Sequence, residues 1–234
     1  MGTGIEASKS YSDAVLSELR KYTKYKFRLA KNFFDMQQNQ DEEGWVSSSL
    51  RDLAVSLNKI SNDLRLMNSG PASGFSDITL PAVQPGSSIM PGKVNPSMAE
   101  MLNMVCFQVI GMDTTISYCA ESGQLELNVY MPLIAFDLLY SISILSRAIN
   151  TFTKRCVAGI KANKERLSKN VSMDMSLATA LAPYIGYARA AKVARKALKD
   201  GKSVKEICME LKIMPEKELN RILNPKKLTK RKQK

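Results

Sequence analysis

The stretch Glu43 to Met67, EGWVSSSLRDLAVSLNKISNDLRLM, sets Val46, Leu50, Leu53, Leu57, Ile60, Leu64 and Met67 at steps of three or four residues. That spacing is the period of an amphipathic α-helix, and Gly70-Pro71 supplies its stop. A second pattern opens at Ser97 and runs through Met101, Met104, Val105, Gln108, Val109, Met112 and Ile116. A third runs from about Gln124 to Lys161, roughly 55 Å if continuous, with Pro132 predicted to kink it near its start. Residues 10 to 21 form a shorter amphipathic stretch, with Ser10 or Ser12 as cap and Val15, Leu16 and Leu19 on one face. No alternation of period two is long enough for a sheet. Long helices take most of their stability from a packed apolar stripe, so the pattern predicts an all-α fold, a long-helix bundle shared between subunits.

Beyond Ser168 the units shorten: Ser176 to Leu181, Pro183 to Leu198 stopped by Gly201, Ser203 to Leu211, and Pro215 to Leu223 stopped by Asn224-Pro225. The predicted organisation is a partial central bundle over residues 1–166, a small helical domain over 167–225 and a basic tail over 226–234.

Composition narrows the function. The 234 residues contain no histidine, which excludes His-based triads, His metal sites and a His general base from this chain. Cys106, Cys119, Cys156 and Cys208 are far apart, form no CxxC pair and sit in apolar helical patterns. They read as buried thiols of a reducing compartment. The N-terminus lacks a basic-then-apolar leader, and no apolar run approaches the roughly 20 residues a membrane span needs, so a cytoplasmic protein without a membrane partner is expected. The net charge is +12, with Lys226, Lys227, Lys230, Arg231, Lys232 and Lys234 clustered at the C-terminus. No aromatic residue is interleaved with that cluster, which reads as a solvated tail and not as a nucleic-acid site.

The segment between the first two long patterns carries the chemistry. Residues 69–96 hold four glycines and five prolines, yet are not low in complexity, and a connection of that length is functional or disordered. Its end reads Gly86-Ser87-Ser88-Ile89-Met90-Pro91-Gly92-Lys93-Val94-Asn95-Pro96. Gly86 and Gly92 allow backbone N–H groups to converge, Lys93 supplies a full charge, and the following helix presents the positive end of its dipole near Asn95. Such a loop suits a carboxylate on which more negative charge develops. A serine surrounded by amide dipoles and a cation can act as a base or a nucleophile. No GxxxxGK[ST] or GxSxG motif is present to favour phosphate binding or acyl transfer. Ser97-Met98-Ala99-Glu100 also fits a capping box, so Glu100 is either a cap or a functional group.

The eleven-residue loop resembles the GSSxMPxKxNP signature of the fumarase/aspartase superfamily. The segments Val105 to Gly111, Asp113 to Thr115 and Gly123 to Val129 are similar to its aspartate ammonia-lyase branch. Leu53 to Leu66, Leu80 to Pro85 and Gly201 to Pro225 extend the resemblance over nearly the whole chain. It implies a lyase that eliminates ammonia from L-aspartate to give fumarate, with Ser87 as the base that takes the Cβ proton. It implies further that Ser88, Lys93, Val94 and Asn95 bind substrate, and that Glu100 is the glutamate that pairs with an active-site histidine. No organic cofactor is implied, and no cluster of metal ligands stands out in the sequence.

In the family each site combines segments from three subunits of a homotetramer. Two of those segments, a threonine/asparagine-rich substrate loop and the one bearing the histidine, have no counterpart here, and Gly2-Thr3-Gly4-Ile5 resembles a segment from the middle of a full-length member. A C-terminal half, inactive until the N-terminal half is supplied, is therefore expected. A class II fumarate hydratase fragment and a non-catalytic helical oligomerisation module are the alternatives.

Overall fold

A computed structural model describes residues 2–229 of the chain. The expected tail residues Lys230, Arg231, Lys232 and Lys234 lie outside the described residues. The chain is all-α and divides into two compact units, residues 1–69 with 80–160, and residues 70–79 with 161–234. The second unit thus takes in ten residues from inside the long connection, which the helical periodicity did not group with the C-terminal helices.

Three long helices make the first unit: α3 (Asp41–Met67), α4 (Ser97–Glu121) and α5 (Met131–Arg155). They are preceded by α1 (Lys9–Thr23) and α2 (Phe33–Gln38), neither of which buries a residue. Ser8 caps α1, one turn before the serines expected to do so, because its Oγ is the one that accepts from Tyr11 N.

The seam between α3 and α4 is made by small residues. Ser47, Ala54 and Ser61, seven residues apart, are the buried positions of α3, whereas Val46, Leu53 and Ile60 of the predicted apolar stripe are between 44% and 49% exposed. Heptad spacing keeps one line of a helix facing its neighbour, and small side chains on that line let the backbones approach. Ser61 Oγ donates to the carbonyl of Ala99 at 2.7 Å across the seam. The other face of α4 packs Ile116 and Cys119 on Ile134 of α5. Full burial of side chains such as Leu102, Ile116, Ile134 and Leu145 contributes about 1.5–3 kcal/mol each.

Polar groups fix the register. Asp113, buried on α4, accepts from Ser47 Oγ at 2.7 Å and from Arg51 Nη1 at 3.1 Å. The guanidinium of Arg51 is held above its ordinary range by its hydrogen bond to Asp52 and by the charge of Asp113. Near the start of α4, Asn103 Nδ2 donates to Asn58 Oδ1 at 2.6 Å, and its Oδ1 accepts from Arg65 Nη1 at 3.1 Å.

The third long helix begins later than its periodicity suggested. Residues 123–130 turn, with Gln124 bridged to Leu127, and α5 starts at Met131. Pro132 sits in the first helical turn, where its missing N–H has no intrahelical acceptor to lose, so it starts the helix and does not kink it. Asn128, fully buried, ties the turn together: its Nδ2 donates to the Cys119 carbonyl, its Oδ1 accepts from Tyr130 N, and its own N–H donates to Gln37 O.

The expectation that no apolar run approaches the length of a membrane span does not hold for α5: by length and composition alone, Met131–Gly159 is apolar enough to cross one, because the first of its few charged residues, Asp137 and Arg147, are widely spaced. Ile134, Asp137, Ser141, Leu145, Ala148 and Phe152 form its buried line, while Phe136, Leu139, Tyr140 and Ile142 are exposed, with the Phe136 and Tyr140 rings stacked.

In the second unit Ile78–Thr79 (β1) pairs antiparallel with Lys161–Ala162 (β2), Ile78 opposite Ala162. These two-residue strands have no sequence signal of their own. Helix α6 (Lys164–Ser172) follows, and a 3₁₀ segment Met175–Leu181 leads through α7 (Ala182–Ile185) to α8 (Tyr187–Asp200), α9 (Val204–Glu210), α10 (Glu216–Ile222) and α11 (Pro225–Leu228). The expected helix from Pro183 to Leu198 is split at Gly186, whose φ of 78° leaves the helical region. Lys226 and Lys227, expected in a solvated tail, lie on the α11 turn, which Asn224 caps by accepting from Lys226 N. Leu181, Val193, Ala197, Val204, Ile207, Cys208 and Leu219 form the core of this unit.

The seam and the stripe predict opposite mutational behaviour in dilute protein. Ala54→Leu overpacks a site with no exposure and is expected to cost about 1–3 kcal/mol in urea unfolding. Leu53→Ala, next to it but 44% exposed, changes the midpoint by about 0.5 kcal/mol or less. A larger effect at Leu53 than at Ala54 contradicts the seam.

Asp137 is 7% exposed and its carboxylate accepts no hydrogen bond among the described residues, and burial raises its pKa. The folded state therefore holds this proton more tightly than the unfolded chain, and stability falls as pH rises through the window between the ordinary carboxylate value and the raised one. Asp137→Asn is expected to raise the melting temperature at pH 7 and to flatten that dependence. An unchanged or lower value at pH 7 contradicts it.

Candidate functional site

The loop ahead of α4 is closed on itself. Ser87 N–H donates to the carbonyl of Lys93 at 3.1 Å, and Lys93 N–H donates to Met90 O at 3.2 Å. Gly86 at the mouth of the turn has φ of 95°, and a Cβ there would stand 2.7 Å from the Lys93 oxygen. Only glycine fits both requirements. Gly92, at φ of 80°, supplies the second left-handed position with open space around it.

Inside the turn the half-buried Ser87 is held by its own oxygen. Its Oγ accepts from Ile89 N–H at 3.2 Å and from Met90 N–H at 3.1 Å. Two amide dipoles aimed at one hydroxyl oxygen favour negative charge on it, by the same rule that lowers the pKa of a carboxylate accepting backbone donors. Sequence reasoning supplied the convergence of N–H groups in general, but not the oxygen on which they converge.

Ser88, Lys93, Val94 and Asn95 lie around this turn. Ser88, Lys93 and Val94 are exposed, and the Lys93 ammonium makes no ion pair or hydrogen bond among the described residues. Asn95 is half-buried, and its carbonyl accepts from Ser97 N–H at 2.9 Å, which turns the chain into α4. The structure thus joins Ser87 to Lys93 through the backbone and leaves the groups of Ser88, Lys93 and Asn95 available to a ligand.

Glu100 does not cap. Pro96 is the N-cap residue of α4 and no side chain satisfies the first turn, so the Ser97–Glu100 capping box is not formed. The carboxylate points instead toward α3, where Oε1 lies 3.9 Å from Arg65 Nη2. Both partners are about two-fifths exposed, so the pair contributes little to stability. Arg65 is the residue that sequence reasoning missed. The sequence carried no signal for the pairing, because Glu100 and Arg65 are far apart in the chain and meet only through the packing of α3 on α4.

Comparison with known proteins places the chain in a family. The pattern of a family described as Lyase matches residues 1–111, and that of Fumarase C C-terminus matches residues 177–230. An aspartate ammonia-lyase of a Bacillus species is 47% identical over 229 residues, which cover 98% of this chain and 49% of that protein. A class II fumarate hydratase of Oceanobacillus iheyensis is 42% identical, covering 98% of this chain and 50% of that protein. Among solved structures, a cobalt-bound fumarate lyase:delta crystallin from Brucella melitensis superposes with a TM-score of 0.92 at 45% identity, over 98% of this chain and 50% of its own. A class II fumarase from Schistosoma mansoni does so with a TM-score of 0.85 at 37% identity, over 96% of this chain and 50% of its own. The chain belongs to the lyase family of the aspartate ammonia-lyases and class II fumarate hydratases, and corresponds to the C-terminal half of such proteins. It spans about half the length of the curated relatives it matches.

Gly86→Ala tests whether the turn is preformed. The added methyl displaces the Lys93 carbonyl, and trypsin cleavage after Lys93 is expected to accelerate while the far-ultraviolet circular dichroism stays unchanged. Cleavage at the wild-type rate contradicts the turn.

Proposed function

We propose that this chain carries the proton-abstracting loop of an aspartate ammonia-lyase. Ser87, with two amides on its oxygen, is the base. Lys93 and Asn95 hold a substrate carboxylate, and Ser88 with the backbone at Val94 completes the cradle. The Ser87 alkoxide takes a proton from Cβ of L-aspartate, and the electron pair delocalises into the adjacent carboxylate as an aci-carboxylate. Collapse of that intermediate forms the Cα=Cβ bond of fumarate and expels the amine from Cα. Positive charge from Lys93 and the start of α4 favours the doubly charged intermediate over the substrate. Glu100 orients a basic partner; within this chain that partner is Arg65, and the family resemblance puts a histidine from another segment there.

The observation that carries this reading is the pair of N–H groups on Ser87 Oγ. Preference for aspartate rests on Val105 to Gly111, Asp113 to Thr115 and Gly123 to Val129, and is supported by relatives at 46–47% identity that are aspartate ammonia-lyases. Class II fumarate hydratases at 42–44% identity keep malate as the second reading.

The site is completed only when the N-terminal half supplies the segments this chain lacks, within the assembly that the family resemblance implies. Exposed Met104, Phe107, Tyr118, Phe136, Leu139 and Tyr140 leave apolar faces on α4 and α5 that further copies cover in a homotetramer. The four free, buried cysteines fit a cytoplasmic location.

The test is co-expression with a chain that supplies the N-terminal half, following fumarate by its ultraviolet absorbance, with aspartate and malate given separately. The chain alone is expected to be inactive and the pair active on aspartate. Ser87→Ala in the pair is expected to lower turnover by about 10²–10⁴-fold. Unchanged turnover removes Ser87 as the base, and activity on malate alone moves the reading to a fumarate hydratase.

A further inference from the structure

The net charge of +12 is confined to one of the two units. The first unit contains 14 basic and 14 acidic residues and is neutral, while the second contains 20 basic and 8 acidic residues and carries the whole excess. Five of those 20 basic residues form a stripe on α8. Arg189, Lys192, Arg195, Lys196 and Lys199 fall within about 120° of arc, on the side away from the buried line Ala190, Val193 and Ala197. From Arg189 to Lys199 the stripe is about 15 Å long. Lys196 pairs with Asp200. Arg189, Lys192, Arg195 and Lys199 are exposed and make no ion pair among the described residues.

What would such a stripe meet? A helix that lies on a membrane inserts its apolar face into the lipid. The apolar face of α8 is consumed by the core of its own unit, which leaves a purely electrostatic surface. At one end of the stripe Tyr187 is 82% exposed, and with Arg195 it lines a groove of about 280 Å³ whose walls include Ala178, Ala191 and Ala194. An aromatic ring and a guanidinium beside an apolar slot suit a stacked base. An acidic peptide would use the cations and leave the slot empty.

We propose that the second unit binds single-stranded nucleic acid, with phosphates along Arg189, Lys192, Arg195 and Lys199 and one base stacked in the groove between Tyr187 and Arg195. The contact is independent of the lyase site and of the predicted tail.

Fluorescence anisotropy of a labelled single-stranded RNA of roughly 10 nucleotides tests it, with the full chain over about 50–300 mM salt. Four phosphate contacts predict a slope of log K against log salt of about −3. Combined R189Q, K192Q, R195Q and K199Q is expected to flatten the slope and weaken binding at least about tenfold, while Tyr187→Ala weakens it at least about fivefold at an unchanged slope. Replacing Lys9, Lys21, Lys24 and Lys26 by Gln in the neutral unit leaves it unaltered. Absence of binding at low salt by a chain with intact helical circular dichroism overturns the proposal. So does binding that survives the α8 substitutions but is lost on removing residues 230–234. Tighter binding to phosphatidylserine vesicles or polyglutamate, insensitive to Tyr187→Ala, overturns it in favour of lipid or an acidic peptide.

Discussion

Close approach of α3 and α4 is the constraint on which the first unit depends. Ser47, Ala54 and Ser61 present almost no side chain at the seam, so the two backbones come near enough for Ser61 to donate directly to a helix carbonyl on α4. Larger residues on that line would separate the helices and strand the buried Asp113 carboxylate, which depends on Ser47 and Arg51 across the same seam. Stranding a charge in a packed interior costs more than any single apolar contact there supplies. The polar pairs thus set the register, and the small residues permit the distance.

That seam also sets where the loop stands. Ser61 holds the carbonyl of Ala99 in the first turn of α4, and Arg65, one turn along α3, faces Glu100. The chain entering this anchored turn is the Gly86 to Pro96 loop, itself closed by the Ser87 to Lys93 backbone pair. A base loop needs its oxygen and its donors fixed before substrate arrives, because stabilisation that must first be organised is lost from the rate. Here the fixing runs from helix packing to helix start, from helix start to turn, and from turn to the amides on Ser87.

The long helices were legible because their apolar residues keep a period of three to four, and the loop because its glycines, prolines and polar groups have no other use in a bundle. The packing partner of each face was not. Val46, Leu53 and Ile60 read as the core line of α3, yet they are half exposed, and the contact is made by Ser47, Ala54 and Ser61. Proximity of two helices is marked by smallness, which a hydropathy pattern scores as nothing. The apolar period continues on both sides of Pro132 and of Gly186, so it does not mark that Pro132 stands in the first turn of α5 or that the backbone leaves the helical region at Gly186. Glu100 shows the limit at the site. Its spacing from Ser97 satisfies a capping box, but Pro96 takes the cap position and Arg65, distant in sequence, takes the carboxylate. The concentration of charge was similarly invisible, since it requires knowing that residues 70–79 belong with residues 161–234.

The central claim is that the Ser87 oxygen is held by two backbone amides in a turn that exists before any substrate binds. Hydrogen exchange of the Ile89 and Met90 amides in the free chain measures this directly. Each net hydrogen bond is worth about 1 kcal/mol, so both amides are expected to exchange several-fold more slowly than that of Ser88, which makes no such bond among the described residues, and to lose that protection in Ser87→Ala. Exchange of Ile89 and Met90 at the rate of Ser88, unaffected by the substitution, would contradict the account.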